Sequence, residues 1–396
     1  MSSTRLAIIA IVFASWAAAQ QPSSVDIAWE LIAKGRRAEA MNLLRDVLQK
    51  SPRDADAHLL LGSLLMEDGN RSDSMAQLTE AVKLRPRSAE AHNALGEACS
   101  KFGDLKAAQS EFQRAVEIDP GHAQAQVNLA SVLLQQGDAK SAVQPLERAI
   151  RLWGKKPDAA YAHYLRARIY NQEHEISKSA AELEQAVQLQ ADLAEAWSDL
   201  GEARKNLADD AGALSALRRA VELSPDDAVA RTRLGSLLLD TGKAHEAVTQ
   251  LREAARLDPR NQSALNALQM ALRRDGQSDQ AEQVKEQLAQ VIRDRDKADQ
   301  ALVAAIELNN RGAELEKAGD LRAALEKYRA ALALLPEHIG IRTNLAVALL
   351  KLGSWAEGIA QLREALRRDP DNASVKAALD DAVAQYEAWR KRTSRP

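Results

Sequence analysis

The chain has 396 residues with 53 basic and 56 acidic side chains, a near balance that presents no single-signed surface for nucleic acid or an anionic membrane. Hydrophobic residues make up 46% of it but aromatics only 4%, and the apolar material is Ala and Leu rather than alternating Val and Ile. That excludes substantial strand content and points to closely packed helices. The single cysteine, Cys99, rules out an internal disulfide framework, so stability must come from burial.

The first segment stands apart. Arg5 is followed by an unbroken apolar run at 6–13 and by Ala17, Ala18 and Ala19, the three parts of a secretory signal peptide covering residues 1–19. Residues 6–19 fall short of the roughly 20 that a spanning helix needs. Cleavage before Gln20 is therefore expected, with an uncleaved anchor as the alternative. No Cys follows the apolar run, so a lipid-anchored end is not expected. The chain is read as exported, periplasmic or secreted, with no stable membrane insertion after cleavage.

Beyond that segment one pattern recurs. Residues 89–122 form a 34-residue unit with Leu95-Gly96 near its start, Gly103-Asp104 in the middle, then Ala108, Phe112 and Ala115, and Pro120 at its close. A fixed period of this length marks a repeat array. Ten registers fit: 21–54, 55–88, 89–122, 123–156, 160–193, 194–227, 228–261, 262–295, 305–338 and 339–372. Position 8 is Gly or Ala in nine of them, position 20 is small in all ten, position 27 is Ala in eight and position 32 is Pro in seven. Positions 4, 7, 8 and 11 share one face of a first helix, and 20, 24 and 27 share one face of a second. Small residues at 8 and 20 let the two helices approach. Gly at 15 ends the first helix, Asp104, Asp138, Asp320 and Ser354 are placed to cap second helices, and Pro at 32 stops them.

The pattern resembles the tetratricopeptide repeat family, whose W-x2-L-G-x2-Y…A-x3-F…P signature is met by Trp197, Leu200, Gly201, Ala213, Leu217 and Pro225. The resemblance implies an all-α fold, an α-solenoid in which about ten helix–turn–helix repeats wind into a right-handed superhelix. Its concave face would be built mainly from first helices. No single repeat buries its apolar stripe alone; stacking makes the core continuous.

The departures mark the organisation. Three residues are inserted before 160–193, which also has His174 for Gly and Arg166 for Leu. Pro145 falls within a second helix, where it should bend the helix or confine its start. Residues 277–310 contain neither Pro nor Gly, which predicts a lengthened helix at 278–299 with a fresh start near Ala301. The expected organisation is thus an array at 21–295, a helical joint at 296–304, a repeat pair at 305–372, a capping helix at 373–390 with Leu379 and Val383 inward, and a tail at 391–396. Three N-x-S/T sequons, at Asn70, Asn261 and Asn372, read as polar turns.

No catalytic motif, phosphate-cradling glycine loop or cofactor fingerprint is present. Nothing outside the repeats is long enough for a fused catalytic domain. His58, His92 and His163 all occupy position 4, where a ladder of metal ligands is conceivable; packing is the favoured reading because no acidic or Cys partner recurs in phase. Cys99, at position 11, reads as a core residue.

Function is expected on the inner surface, at positions 2, 5, 6, 9, 12 and 13 of the first helices. In related arrays Asn at position 6 holds a peptide backbone through its donor and acceptor. Here only Asn128, Asn310 and Asn344 match, and the family's clamp for a C-terminal carboxylate is missing. The most distinctive surface is Tyr161, Tyr164, Arg168 and Asn171, aromatics and Arg of the kind that anchor interfaces. The sequence reads as a non-enzymatic exported scaffold for a protein or peptide partner. The alternatives are an accessory subunit of an envelope machine, for polysaccharide export or outer-membrane assembly, and a regulatory partner of a separately encoded enzyme.

Overall fold

The computed structural model describes residues 23–370 and 372–393. The segment read as a signal peptide lies outside the described residues. Those described form twenty α-helices and no strand, in two compact units that meet at Leu257 and Asp258. The fold is all-α, and within each unit it is the repeat stack of a solenoid.

Seven helix pairs make the first unit. They are α1 (Ser24–Ala33) with α2 (Arg37–Lys50), α3 (Ala55–Glu67) with α4 (Arg71–Leu84), and α5 (Ala89–Lys101) with α6 (Leu105–Ile118). Then come α7 (Ala123–Gln135) with α8 (Ala139–Trp153), α9 (Ala159–Gln172) with α10 (Ile176–Leu189), α11 (Ala194–Asn206) with α12 (Asp210–Leu223), and α13 (Ala228–Asp240) with α14 (Ala244–Leu257). Each pair turns on position 15. In α5 the Gly103 and Asp104 amides reach back to the Ser100 and Cys99 carbonyls at 3.1 and 2.9 Å, which satisfies the helix end while Gly103 sits at φ 85°. His174 at φ 59° and Ala208 at φ 61° take the same left-handed conformation without being glycine, because the turn imposes it.

Helix starts are capped as expected at Asp104, Asp138 and Asp320, whose carboxylates accept the amides of Ala107, Ser141 and Ala323. Ser354 differs: its side chain makes no capping bond. All three sequon asparagines are caps, accepting from Asp73, Ala264 and Val375. Pro145 is buried inside α8, and the helix runs through it to Trp153 rather than starting there.

Close approach of paired helices explains the small residues. A Cβ on Gly96 would lie 2.7 Å from the Phe112 ring, and one on Gly312 the same distance from Tyr328. The bulky residue at position 24 thus packs directly onto the backbone at position 8. Position 20 completes the contact; where it is Ser74, the hydroxyl donates to the Gly62 carbonyl at 2.9 Å, so no polar atom is left stranded.

Position 4 has a structural task. His58 and His92 reach the carbonyls of Pro52 and Pro86, six residues back in the turn between repeats, and also touch Gln77 and Glu111 on the second helix. Trp197 reaches the Ala191 carbonyl at 3.0 Å, and Arg231 makes both contacts, to the Pro225 carbonyl and to Gln250. Different side chains therefore hold the preceding turn from one place.

The second unit contains α15 (Gln262–Arg274), α16 (Ser278–Lys317), α17 (Leu321–Leu334), α18 (Ile339–Lys351), α19 (Trp355–Arg368) and α20 (Ala373–Thr393). Helix α16 is 40 residues long. It passes through the expected restart near Ala301 without a break, since neither Gly nor Pro lies between Gln277 and Gly312. Its first part is the second helix of repeat 262–295, and its last part the first helix of repeat 305–338. On α20 the residues packed deepest are Val375 and Ala382, with Leu379 and Val383 half-buried beside them.

Candidate binding groove on the first-helix face

The inner face of the first unit is lined by the positions the register assigns to it. A cavity of about 500 Å³ opens on α1, α3 and α5, lined by Val25, Asp26, Trp29, Asp56, Leu59, Leu60, Ser63, Glu90, Asn93, Ala94 and Glu97, with Ser23 and Asp54 at its edge. Trp29 is 56% exposed, a large indole held open to solvent on an ordered helix. The cavity shares Glu97 with a second, whose wall includes Asn128 and Ser131. Ser131 is shared with a third, lined by Tyr161, Leu165 and Arg168; Arg168 is shared with a fourth, lined by Asn171, Asp199, Glu202 and Arg233. Each cavity thus shares a wall residue with the next, and the four follow one another along α1, α3, α5, α7, α9, α11 and α13.

Charge varies along it. At the α1–α5 end the lining carries Asp26, Asp54, Asp56, Glu90 and Glu97 and no Lys, Arg or His. Arg85 reaches Asp56 from behind, with 2.7 Å between Nη2 and Oδ2. The guanidinium is held charged first by that hydrogen bond and then by the fields of Asp56, Asp54 and Glu90. One cation facing several carboxylates leaves this end negative.

The aromatic and arginine residues come together as the sequence predicts. Tyr161, Tyr164 and Arg168 lie on one face of α9; the tyrosine rings are 5.8 Å apart, and the Arg168 guanidinium is 6.0 Å from the Tyr164 ring. Tyr161 and Arg168 are exposed, whereas Tyr164 is half-buried between neighbouring core clusters. Burial, followed by the charge of Asp199, pushes the Tyr164 phenol up to about 12, so it stays neutral. Asn171 is exposed one turn further on.

Two of the three position-6 asparagines are already engaged. Asn128 donates to Asn93 at 3.0 Å and to Glu97 at 2.9 Å, and accepts from Gln124 at 2.9 Å. Asn344 donates to Asn309 at 2.9 Å in the second unit, where Asn310 is exposed. The three matches therefore do not form one ladder; they split between units, and two tie adjacent first helices together.

Trp29 and the carboxylates of α1–α5 were not singled out by sequence reasoning. The signal was present, since they occupy positions 2, 5, 6 and 9. Spacing along the chain does not show that these side chains border a cavity.

The remaining polar groups are structural. Cys99 is buried, and burial, reinforced by Asp104 and Glu111, pushes its thiol up to about 11, which leaves it unreactive. Arg166 replaces an expected Leu and pairs with Glu182 at 2.7 Å, while His163 holds the other oxygen of that carboxylate at 2.7 Å. Among the described residues no three His, Cys, Asp or Glu side chains are placed to hold a metal ion, and no helix is long and apolar enough to cross a membrane.

A stack of helix pairs with successive cavities along its first helices defines a helical-repeat solenoid. Family models described as tetratricopeptide repeat match residues 31–98, 101–169 and 315–382, residues 232–301, and residues 194–227. The chain belongs to the tetratricopeptide repeat family. Among solved structures it is similar to PilF of Pseudomonas aeruginosa, with 19% identity, coverage of 55% of this chain and 98% of that one, and a TM-score of 0.50. A tetratricopeptide repeat protein from Parabacteroides merdae gives 13% identity, 63% and 97% coverage, and a TM-score of 0.47. The C-terminal part of a repeat protein from Cytophaga hutchinsonii gives 16%, 62% and 99%, and 0.45. No curated protein matches the chain by sequence.

Proposed function

We propose that the protein is a non-catalytic scaffold that holds a segment of a partner protein in the groove on the first helices of its first unit, and that it does so after export. The observation that carries the reading is the row of four cavities, each sharing a wall residue (Glu97, Ser131 or Arg168) with the next. An extended or helical segment entering there meets an indole at one end and a Tyr–Tyr–Arg cluster further along, residue types that dominate binding energy when covered. The acidic end favours a segment with basic residues at that point. Export rests on the three-part pattern of residues 1–19.

The test is site-specific photocrosslinking in the native host. A crosslinker at Ser131 or Trp29 should capture one defined partner, whereas one at Gln113, on the second-helix side, should not. Changing Tyr161 and Arg168 to Ala should weaken that capture at least about tenfold, on the scale of two interface anchors, without loss of helicity. Equal capture from Gln113, or capture indifferent to the double change, refutes the groove. The mass of the exported chain should begin at Gln20.

A further inference from the structure

In the first unit the second helix of each repeat packs on the first helix of the next. At 278–317 both roles fall on one continuous helix, which cannot pack on itself. The stripe that buries Ala281 and half-buries Leu288 beside α15 therefore continues past the end of α15 with its apolar side chains exposed. Ile292 is 36% exposed, Leu302 43% and Ile306 45%.

The spacing of that stripe is 4-3-4-3-4: Leu288, Ile292, Arg295, Asp299, Leu302, Ile306. This is the alternating d and a seam of a coiled coil. It is also symmetric about Lys297. With the chain reversed, Leu288 lies opposite Ile306, Ile292 opposite Leu302, and Arg295 opposite Asp299. In an antiparallel pair a positions face d positions, so the apolar residues meet and the two charges meet with opposite sign. A parallel pair sets Arg on Arg and Asp on Asp. Arg295 already leans on Gln262 of α15 at 3.2 Å and stands 3.6 Å from its own Asp296, which keeps it on this face.

We infer that the exposed seam of α16 is the docking surface for a second copy of this chain, paired antiparallel about Lys297. The pairing restores between copies the contact that the continuous helix forfeits within one: the second-helix part, at Leu288, packs on the partner's first-helix part, at Ile306. The seam is about 27 Å long, from 18 steps of helical rise. So short a seam, with two of its six positions charged, makes a concentration-dependent dimer rather than an obligate one.

Sedimentation equilibrium on the full chain tests this. The expected result is a monomer–dimer equilibrium with a dissociation constant on the order of micromolar. Arg295→Asp alone, or Asp299→Arg alone, should weaken association at least about tenfold by setting like charges together, and the double exchange should restore it. In a Cys99→Ser background, Ile292→Cys with Leu302→Cys should form intermolecular disulfides, whereas Ile292→Cys alone should not. A monomer at every concentration up to about a hundredfold above that constant overturns the inference. So do a dimer indifferent to the single charge reversals, a double exchange that fails to restore association, and disulfides from Ile292→Cys alone. Circular dichroism of each variant shows whether α16 stays helical, which these surface changes should leave intact.

Discussion

Position 15 shows how much a single backbone angle decides. Ten helix ends share one left-handed residue, and eight of the ten are glycine. His174 and Ala208 hold the conformation against the clash of their own Cβ, a cost of about 1–2 kcal/mol that glycine avoids. Ala208→Gly and His174→Gly are each expected to stabilise the protein by about 0.5–1 kcal/mol once glycine's extra chain entropy is subtracted. Urea denaturation measures this, and a loss of stability in both variants would show that the turn imposes no strain. Glu182 gives a second residue-scale expectation. Burial is the largest single influence and works to raise its carboxyl, but the hydrogen bonds from His163 and Arg166, with their charges, outweigh it and hold the group below the usual carboxylate range. A carboxyl lower in the folded than in the unfolded chain contributes stability above the unfolded value of about 4.3 and loses it as pH falls through the folded value. Glu182→Gln should therefore cost most near neutrality and progressively less below about pH 4, as thermal melts would record. An equal cost at pH 7 and pH 3 would mean that the charge is not what matters.

Helix pairs are the next scale, and their packing rests on the partner at position 24. Where that residue is Leu, position 8 is Ala in four repeats: Ala28 with Leu44, Ala130 with Leu146, Ala167 with Leu183 and Ala346 with Leu362. The spacing of these pairs accommodates a methyl group. Aromatics sit at position 24 only opposite glycine, Phe112 on Gly96 and Tyr328 on Gly312. Gly96→Ala should accordingly destabilise by about 1–3 kcal/mol through overpacking against a rigid ring. Gly62→Ala would put a Cβ 2.7 Å from Leu78 Cγ and 3.1 Å from its amide nitrogen, and should cost less than Gly96→Ala, because the Leu78 side chain can shift where a ring cannot and better helix propensity offsets part of the adjustment. Parallel denaturant titrations decide between them; equal costs would mean that ring rigidity is irrelevant. The same scale explains α16. Sequence periodicity marks a long helix but also suggests a restart, since a repeat normally needs a turn. Neither Gly nor Pro occurs between Gln277 and Gly312 to supply one, and cooperativity along the run carries the helix through.

At the scale of the whole molecule, a repeat array separates what specifies the fold from what specifies binding. Positions 8, 20, 24, 27 and 32 recur because every repeat needs the same packing and the same turns, so the all-α repeat fold is legible in one sequence. Positions 2, 5, 6 and 9 do not recur, because neither the packing nor the turns constrain them. The cluster of Tyr161, Tyr164 and Arg168 was legible, being helical neighbours in a single repeat. Trp29 with the carboxylates of α3 and α5 was not, because those residues converge only when three repeats stack, and whether they enclose a cavity or a hydrogen-bond network depends on side-chain paths. Asn128 makes the point in reverse: its position matched a peptide-holding residue, but its amide is committed to Asn93 and Glu97. By itself the sequence determined the period, the helix ends and the residues that must be small, since these follow from local stereochemistry and spacing along one chain. Only the tertiary structure decided which inner positions surround open space and which face of α16 lacks a neighbour, because both depend on which side chains meet across repeats far apart in sequence.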